Sequence, residues 1–285
     1  MKKLICLLFS GFVLFLSGCS WHAIDFGCKM SAVHSCYDAM PEYFEREYAK
    51  EDERKYIEEN PVRAAYFYRF LGICERFRNN KEMAQKAFDK SLSFCENPLT
   101  YYHLAKFALR ERDIENAGKY IKSMENAIAE KIYYHVNYYE FLLTGLTWQE
   151  YEKLIKNKTT IESFYIERCD FLKKTLAKVK KMPPDILPAL HNIALENAEK
   201  IRYGMKYAEV EKLLGKPEFQ SEDFRGAKKC FYPIKNQNAP YVCLLFSANG
   251  SLGDMAFCRR RSKYEKYFEW IGLENSVYSI RWRLN

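Results

Sequence analysis

Past Leu16 the chain has no apolar run long enough to span a bilayer, which takes about 20 residues, so no membrane-crossing helix is expected in its body. It also has no Gly-rich phosphate loop, no nucleophile elbow and no pair of histidines on one helical face. Histidine is scarce, with five in all; His103, His135 and His191 fall in helical segments without Cys or carboxylate at ligand spacing and read as structural. No motif sets a base beside a cysteine to lower its pKa, as a thiol nucleophile requires. From these absences the protein is expected to be no enzyme, with no catalytic residue, no metal and no cofactor.

What is there begins with Lys2 and Lys3, an apolar stretch from Leu4 to Leu16, and then Ser17, Gly18 and Cys19. The stretch has the length of a signal-peptide core, roughly 7 to 15 residues. Leu16-Ser17-Gly18-Cys19 resembles the lipobox of bacterial lipoproteins, which implies cleavage after residue 18 and acylation of Cys19 (palmitate among the chains). Ser20 rather than Asp follows, which in Gram-negative lipoproteins resembles the pattern for the outer membrane facing the periplasm. The expected address is therefore the cell envelope, with the membrane reached through the lipid anchor.

Composition is ordinary for a globular chain, 48% hydrophobic and 29% charged, with 22 Tyr and 20 Phe to fill a core. The formal net charge of +8 includes Lys2 and Lys3, which leave with the leader. The remaining mild positive balance suits anionic head groups or acidic partners and is too dilute for nucleic acid. Ten cysteines become eight once Cys6 is removed and Cys19 is acylated. An even number in an exported chain suggests disulfides, with Cys28–Cys36 and Cys230–Cys243 as the candidates of favourable local spacing; buried reduced thiols are the alternative. His22, Cys28, His34 and Cys36 have ligand types that suit zinc, but their irregular spacing and the compartment favour a Cys28–Cys36 bridge.

The chain divides into a leader (1–18), a tether (19–40), a helical domain (41–181) and an α+β domain (182–285). One helix is expected between Pro41 and Glu59, ending before Asn60-Pro61. Beyond it Tyr68, Leu71, Gly72, Ala84, Phe88 and Ser91 are matched thirty-three positions later by Tyr101, Leu104, Ala105, Ala117, Ile121 and Met124. That spacing resembles the tetratricopeptide repeat, which implies antiparallel helix pairs stacked into a solenoid; an ordinary helical bundle is the alternative. Asn79-Asn80 and Arg112-Asp113 fall at the turns, and Asn97-Pro98 falls between the units. A third, weaker unit spans Tyr133 to Ile155 with Gly145 at its turn. Tyr133, Tyr134, Tyr138 and Tyr139 are too many for one buried face, so some are expected on a concave binding surface.

Met182-Pro183-Pro184-Asp185 breaks the helical register. A short helix follows, with Met205, Val210, Leu213 and Leu214 on one side, Gly215 at its end and Pro217 preventing continuation. Strands are expected at 228–232, 241–247 and 252–258, the last pair joined through Asn249-Gly250. Tyr278 to Leu284 alternates like a half-buried strand. Gly204, Met205, Glu209, Val210, Leu214, Gly215 and Pro217, with Phe246, Asn249 and Gly250 in the hairpin, resemble the SmpA/OmlA (BamE-like) domain, a fold also similar to beta-lactamase inhibitor protein. Lys206 departs from that family, which has a capping Thr or Ser there; a lysine accepts no backbone hydrogen bond. Arg259, Arg260 and Arg261, with Lys263 and Lys266, form a basic cluster that reads as a solvated face or a contact for acidic lipid or protein. The resemblances together imply a non-catalytic scaffold that binds other envelope or outer-membrane proteins, in outer-membrane protein assembly or envelope integrity. The alternative is an inhibitor-type protein that blocks a hydrolase.

Overall fold

Two Asn-Pro pairs set the rhythm of the helical part. In a computed structural model, Asn60 accepts hydrogen bonds from the backbone N–H groups of Val62 and Arg63 at 3.0 and 3.1 Å, and Asn97 accepts one from Leu99 at 2.8 Å. Pro61 and Pro98 are the first residues of the helices so capped, where a missing N–H costs nothing. The structure describes residues 22–24, 28, 37–132, 158–182, 184, 195–222, 226–234, 241–260, 267–271 and 281–283. Over these the chain is α+β, with helices α1 (Met40–Tyr48), α2 (Glu51–Glu58), α3 (Pro61–Phe77), α4 (Lys81–Phe94), α5 (Pro98–Arg110), α6 (Ile114–Ala129), α7 (Lys158–Lys181) and α8 (Tyr207–Leu214).

Helices α3 and α4 form one hairpin and α5 and α6 a second. Their turns repeat in detail. Asn79 and Arg112 both take the left-handed conformation, at φ 61° and 59°. The next residues, Asn80 and Asp113, donate their N–H groups to Glu75 O and Ala108 O at 2.8 and 2.9 Å. Asn80 and Asp113 then cap α4 and α6 through Met83 N–H and Asn116 N–H. The small residues sit where the helices press together: a Cβ on Gly72 would stand 2.9 Å from the Phe88 ring, and Ala84, Ala105 and Ala117 are fully buried. A buried polar chain joins the hairpins, running from Arg69 Nη1 to Thr100 Oγ1 at 3.1 Å, with Ser91 Oγ 3.2 Å from that hydroxyl and donating to Ala65 O at 2.7 Å. Helix α7 closes the array against α5 and α6 through Phe164, Tyr165, Cys169, Leu172 and Val179.

At the other end, the expected single helix over Pro41–Glu59 is two. Lys50 is extended (φ −77°, ψ 134°), and the break sets both Phe44 of α1 and Ile57 of α2 into one cluster with Phe67 and Phe70 of α3. Part of the expected tether is packed as well. Ile24 and Cys28 are buried in that cluster, and Ala23 N–H donates to Glu53 at 2.8 Å. The third weak unit, with Gly145 and the four tyrosines from Tyr133 to Tyr139, lies outside the described residues.

Six antiparallel strands follow in sequence order: β1 (Phe219–Glu222), β2 (Lys228–Pro233), β3 (Tyr241–Phe246), β4 (Leu252–Arg260), β5 (Tyr267–Ile271) and β6 (Arg281–Arg283). The antiparallel sheet, expected to have three strands or more, has six: β1 and β5 join the three strands expected, and the C-terminal segment adds β6 at its edge. Strand parity gives it two buried faces. Cys230, Tyr232, Val242, Leu244 and Phe246 turn towards Val210 of α8 and Ile201. Phe231, Cys243 and Leu245 turn the other way, onto Phe77 at the end of α3.

That alternation overturns the expected Cys230–Cys243 disulfide. Cys230 opposes Leu244, and Cys243 opposes Phe231, so the two side chains stand on opposite faces of the sheet and are not joined. Of the other candidate pair, Cys28 is buried, while Cys36 lies outside the described residues.

Candidate functional site

The sheet meets the helical array at the turn end of the two hairpins, where backbone approaches backbone. A Cβ on Gly253 of β4 would fall 1.9 Å from the Phe77 carbonyl oxygen, so only glycine lets the strand seat there. Gly204, at φ 88°, does the same for the loop before α8: its missing Cβ would sit 2.8 Å from Asn79 Nδ2, in the turn of the first hairpin. Asp38 ties the joint from the N-terminal side, accepting Ala248 N–H at 2.9 Å.

The joint has an ionic centre. Arg110, the last residue of α5, is buried and pairs with Asp254 of β4 at 2.6 Å. Its guanidinium lies 5.2 Å from the Tyr203 ring centroid and 5.4 Å from that of Phe107, two cation–π contacts. Burial lowers the pKa of Arg110, but the Asp254 carboxylate together with Tyr203 and Tyr102 more than offsets this and the guanidinium stays charged. Burial and the same carboxylate raise the pKa of Tyr203, whose buried hydroxyl has no hydrogen-bond partner among the described residues.

Next to this joint, and sharing Arg76, Phe107 and Glu111 with it, a cleft of about 100 Å³ opens between the hairpins. Its floor is Phe88, Leu104 and Phe107; Arg76, Lys81 and Gln85 stand on one side, Glu111, Asp113, Asn116 and Tyr120 on the other. Arg76 lies 4.9 Å over Phe107 and is paired with Glu111, which Lys81 also reaches at 3.2 Å. The cleft is small beside ligand pockets of about 300 to 1,000 Å³, and it is lined by both signs of charge over an aromatic floor. Such a surface suits a protruding side chain of a protein partner rather than an enclosed small molecule.

The sequence-derived positions are spread through the α+β part as supports. Val210 and Phe246 are fully buried, and Met205 and Leu214 pack beside them. Gly215 ends α8 at φ 78°, Gly250 turns the hairpin at φ 76°, and Asn249 Oδ1 accepts from Ser251 N–H at 2.8 Å. Pro217 is half-buried just after α8. At Lys206, the Glu209 carboxylate accepts the Lys206 N–H at 2.7 Å, while the Lys206 ammonium donates to Asn249 O and Ser251 Oγ at 2.9 and 3.0 Å. The lysine therefore clamps the helix start to the β3–β4 turn instead of capping the helix.

Cys19, His34, Cys36, His135, His191, Lys263 and Lys266 lie outside the described residues, as do the side chains of Arg259 and Arg260. His22 stacks on Tyr56 with ring centroids 3.4 Å apart and sits 3.7 Å from Glu53. Among the described residues no group of three or more His, Cys, Asp or Glu is placed to hold a metal, and no helix is long and apolar enough to cross a membrane. Burial pushes the thiols of Cys169 and Cys230 up to about 11 and about 12, so both stay protonated at neutral pH. Arg76, Arg110, Glu111, Tyr203, Gly253 and Asp254, which build the site, had no local motif; the only signal was the charge of Arg76, Arg110, Glu111 and Asp254, and nothing marked Tyr203 or Gly253. No family model matches this chain, and comparisons with curated proteins and with solved structures give no match.

Proposed function

We propose that this chain is a cell-envelope lipoprotein, acylated at Cys19 and held on the outer membrane facing the periplasm, that acts as a non-catalytic scaffold for other envelope proteins. In this reading its hairpins are tetratricopeptide-like repeats and its C-terminal part is a BamE-like domain, and its work lies in outer-membrane protein assembly or envelope integrity. The observation that carries the reading is the cleft between the hairpins, which abuts a fixed joint with the sheet and offers a protein partner an aromatic floor between opposed charges. The lipobox resemblance and the protonated thiols support it from other directions.

Photocrosslinkers placed at Gln85 and Asn116, on the two walls, test it in native envelopes. The expected result is a discrete adduct with an assembly or cell-wall protein from both positions, absent when the probe sits at Lys90 outside the cleft. Failure of either wall position to give an adduct overturns the scaffold, and a single secreted hydrolase as the adduct replaces it with the inhibitor reading.

A further inference from the structure

The last three turns of α7 are a lysine face, only one of whose five ammonium groups is paired with carboxylates among the described residues. The first half of the helix carries Glu162, Glu167 and Asp170; from Phe171 to Met182 there is no acidic residue. Lys173, Lys174, Lys178, Lys180 and Lys181 are all exposed there. Lys173 pairs with Glu125 of α6 at 2.5 Å and with Asp170 at 3.5 Å. The other four have no acidic partner among the described residues. Meanwhile Leu172 and Val179 on the opposite side are fully buried against α5 and α6, so the helix cannot roll to hide its charges or insert an apolar face into a bilayer.

We infer that this face of α7 lies against an anionic lipid surface, binding phosphate head groups electrostatically. Three features select lipid over protein. Lysines are compact, strongly hydrated point charges suited to a diffuse field, whereas bidentate recognition calls for arginine. Protein interfaces are poor in lysine and rich in aromatic residues and arginine, and the exposed positions from Lys173 to Lys181 include neither. A flat charged face on a helix pinned from behind also matches a surface better than a pocket. The inference rests on the envelope-lipoprotein reading for its bilayer.

Vesicle co-sedimentation of the mature chain, made from residue 19 onward without the leader and carrying Cys19→Ala, so that neither an acyl chain nor the apolar stretch Leu4–Leu16 contributes, measures it. Vesicles of phosphatidylcholine with one part in three phosphatidylglycerol are compared with phosphatidylcholine alone. Binding is expected only with the anionic lipid and to fade at raised salt. Each lysine near such a surface contributes about fivefold, so Lys174→Gln, Lys178→Gln, Lys180→Gln and Lys181→Gln together lose about 10² to 10³-fold. The single variants, each losing about fivefold, carry the test if the combined one fails to fold by circular dichroism. Equal binding by parent and lysine variants overturns the inference, as does equal binding to both vesicle types. Binding to polyglutamate without preference for phosphatidylglycerol overturns it in favour of an acidic protein. Intact mass of the wild-type chain from cells reads Cys19 acylation separately: an acylated chain whose lysines do not matter keeps the anchor and loses the lysine face.

Discussion

The two faces of the sheet are buried by different means. Towards α8 the contact is mainly apolar, from Cys230 and Tyr232 across Leu244 and Phe246 to Val210, with the Lys206 clamp at its edge. Towards the helical array, Phe77, Phe231 and Leu245 share the face with the ion pair of buried Arg110 and half-buried Asp254. The apolar area of the first face has no direction of its own, so its register is left to the Lys206 clamp at the edge. The second has one seating, since a buried charge displaced from its partner is left in low dielectric. The apolar face makes a module; the ionic face fixes where the module sits on the hairpins.

Removing one member of the pair breaks this contrast most severely. Asp254→Ala leaves Arg110 buried without its carboxylate and is expected to destabilise the protein by about 3 to 5 kcal/mol, read by chemical denaturation. Arg110→Met with Asp254→Leu removes both charges and is expected to recover most of that loss, while loosening the seating enough to change crosslink yield across the joint. A double variant as unstable as Asp254→Ala would show that packing, not charge, holds this face.

His103 sharpens the same contrast within the array. Burial, reinforced by Lys106, Arg69 and Arg110, drives its pKa well below the ordinary 6.5. The folded state therefore holds it neutral while the unfolded chain takes up a proton. Stability from this group is complete above about pH 6.5 and falls as pH drops below it, by at most about 1.4 kcal/mol per pH unit. His103→Gln is expected to flatten that slope in urea melts taken between pH 7 and pH 5, leaving the sheet's contacts unchanged. An unaltered slope would place the acid sensitivity elsewhere.

The smallest effect belongs to the caps. Asn97→Ala removes the side chain that accepts Leu99 N–H and is expected to cost about 1 kcal/mol, and Asn60→Ala about the same. Equal losses in thermal melts would mark the two helix starts as equivalent; a much larger loss at Asn97, which is buried, would tie the cap to the packing between hairpins.

The hairpins were legible because everything that makes them is local. Asn-Pro starts mark the helices, and turns at Asn79 and Arg112 and small residues at Gly72 and Ala105 recur at a fixed period that a linear reading sees. Strands β2, β3 and β4 were legible for the same reason. Strand β1, Phe219-Gln220-Ser221-Glu222, was not, because one apolar residue in four makes no alternation; its place comes from pairing with β2. The disulfide expectation failed on parity. Spacing brings the strands of Cys230 and Cys243 together, but a one-residue offset in register decides the face, and nothing local encodes it. The joint was illegible altogether: Arg110 and Asp254 stand far apart in the chain, and each alone reads as a surface charge.

The docking of His22 to Ile24 on α2 has a mechanical consequence. With His22 stacked on Tyr56, Ala23 hydrogen-bonded to Glu53 and Ile24 buried, only Ser20 and Trp21 separate Cys19 from the docked segment. Fully extended, the three steps from Cys19 to His22 reach about 10 Å. In the proposed lipoprotein reading, an acyl chain on Cys19 would work through a short leash: α2 would stay within a few water layers of the bilayer, and a partner would have to come to the membrane surface to be held.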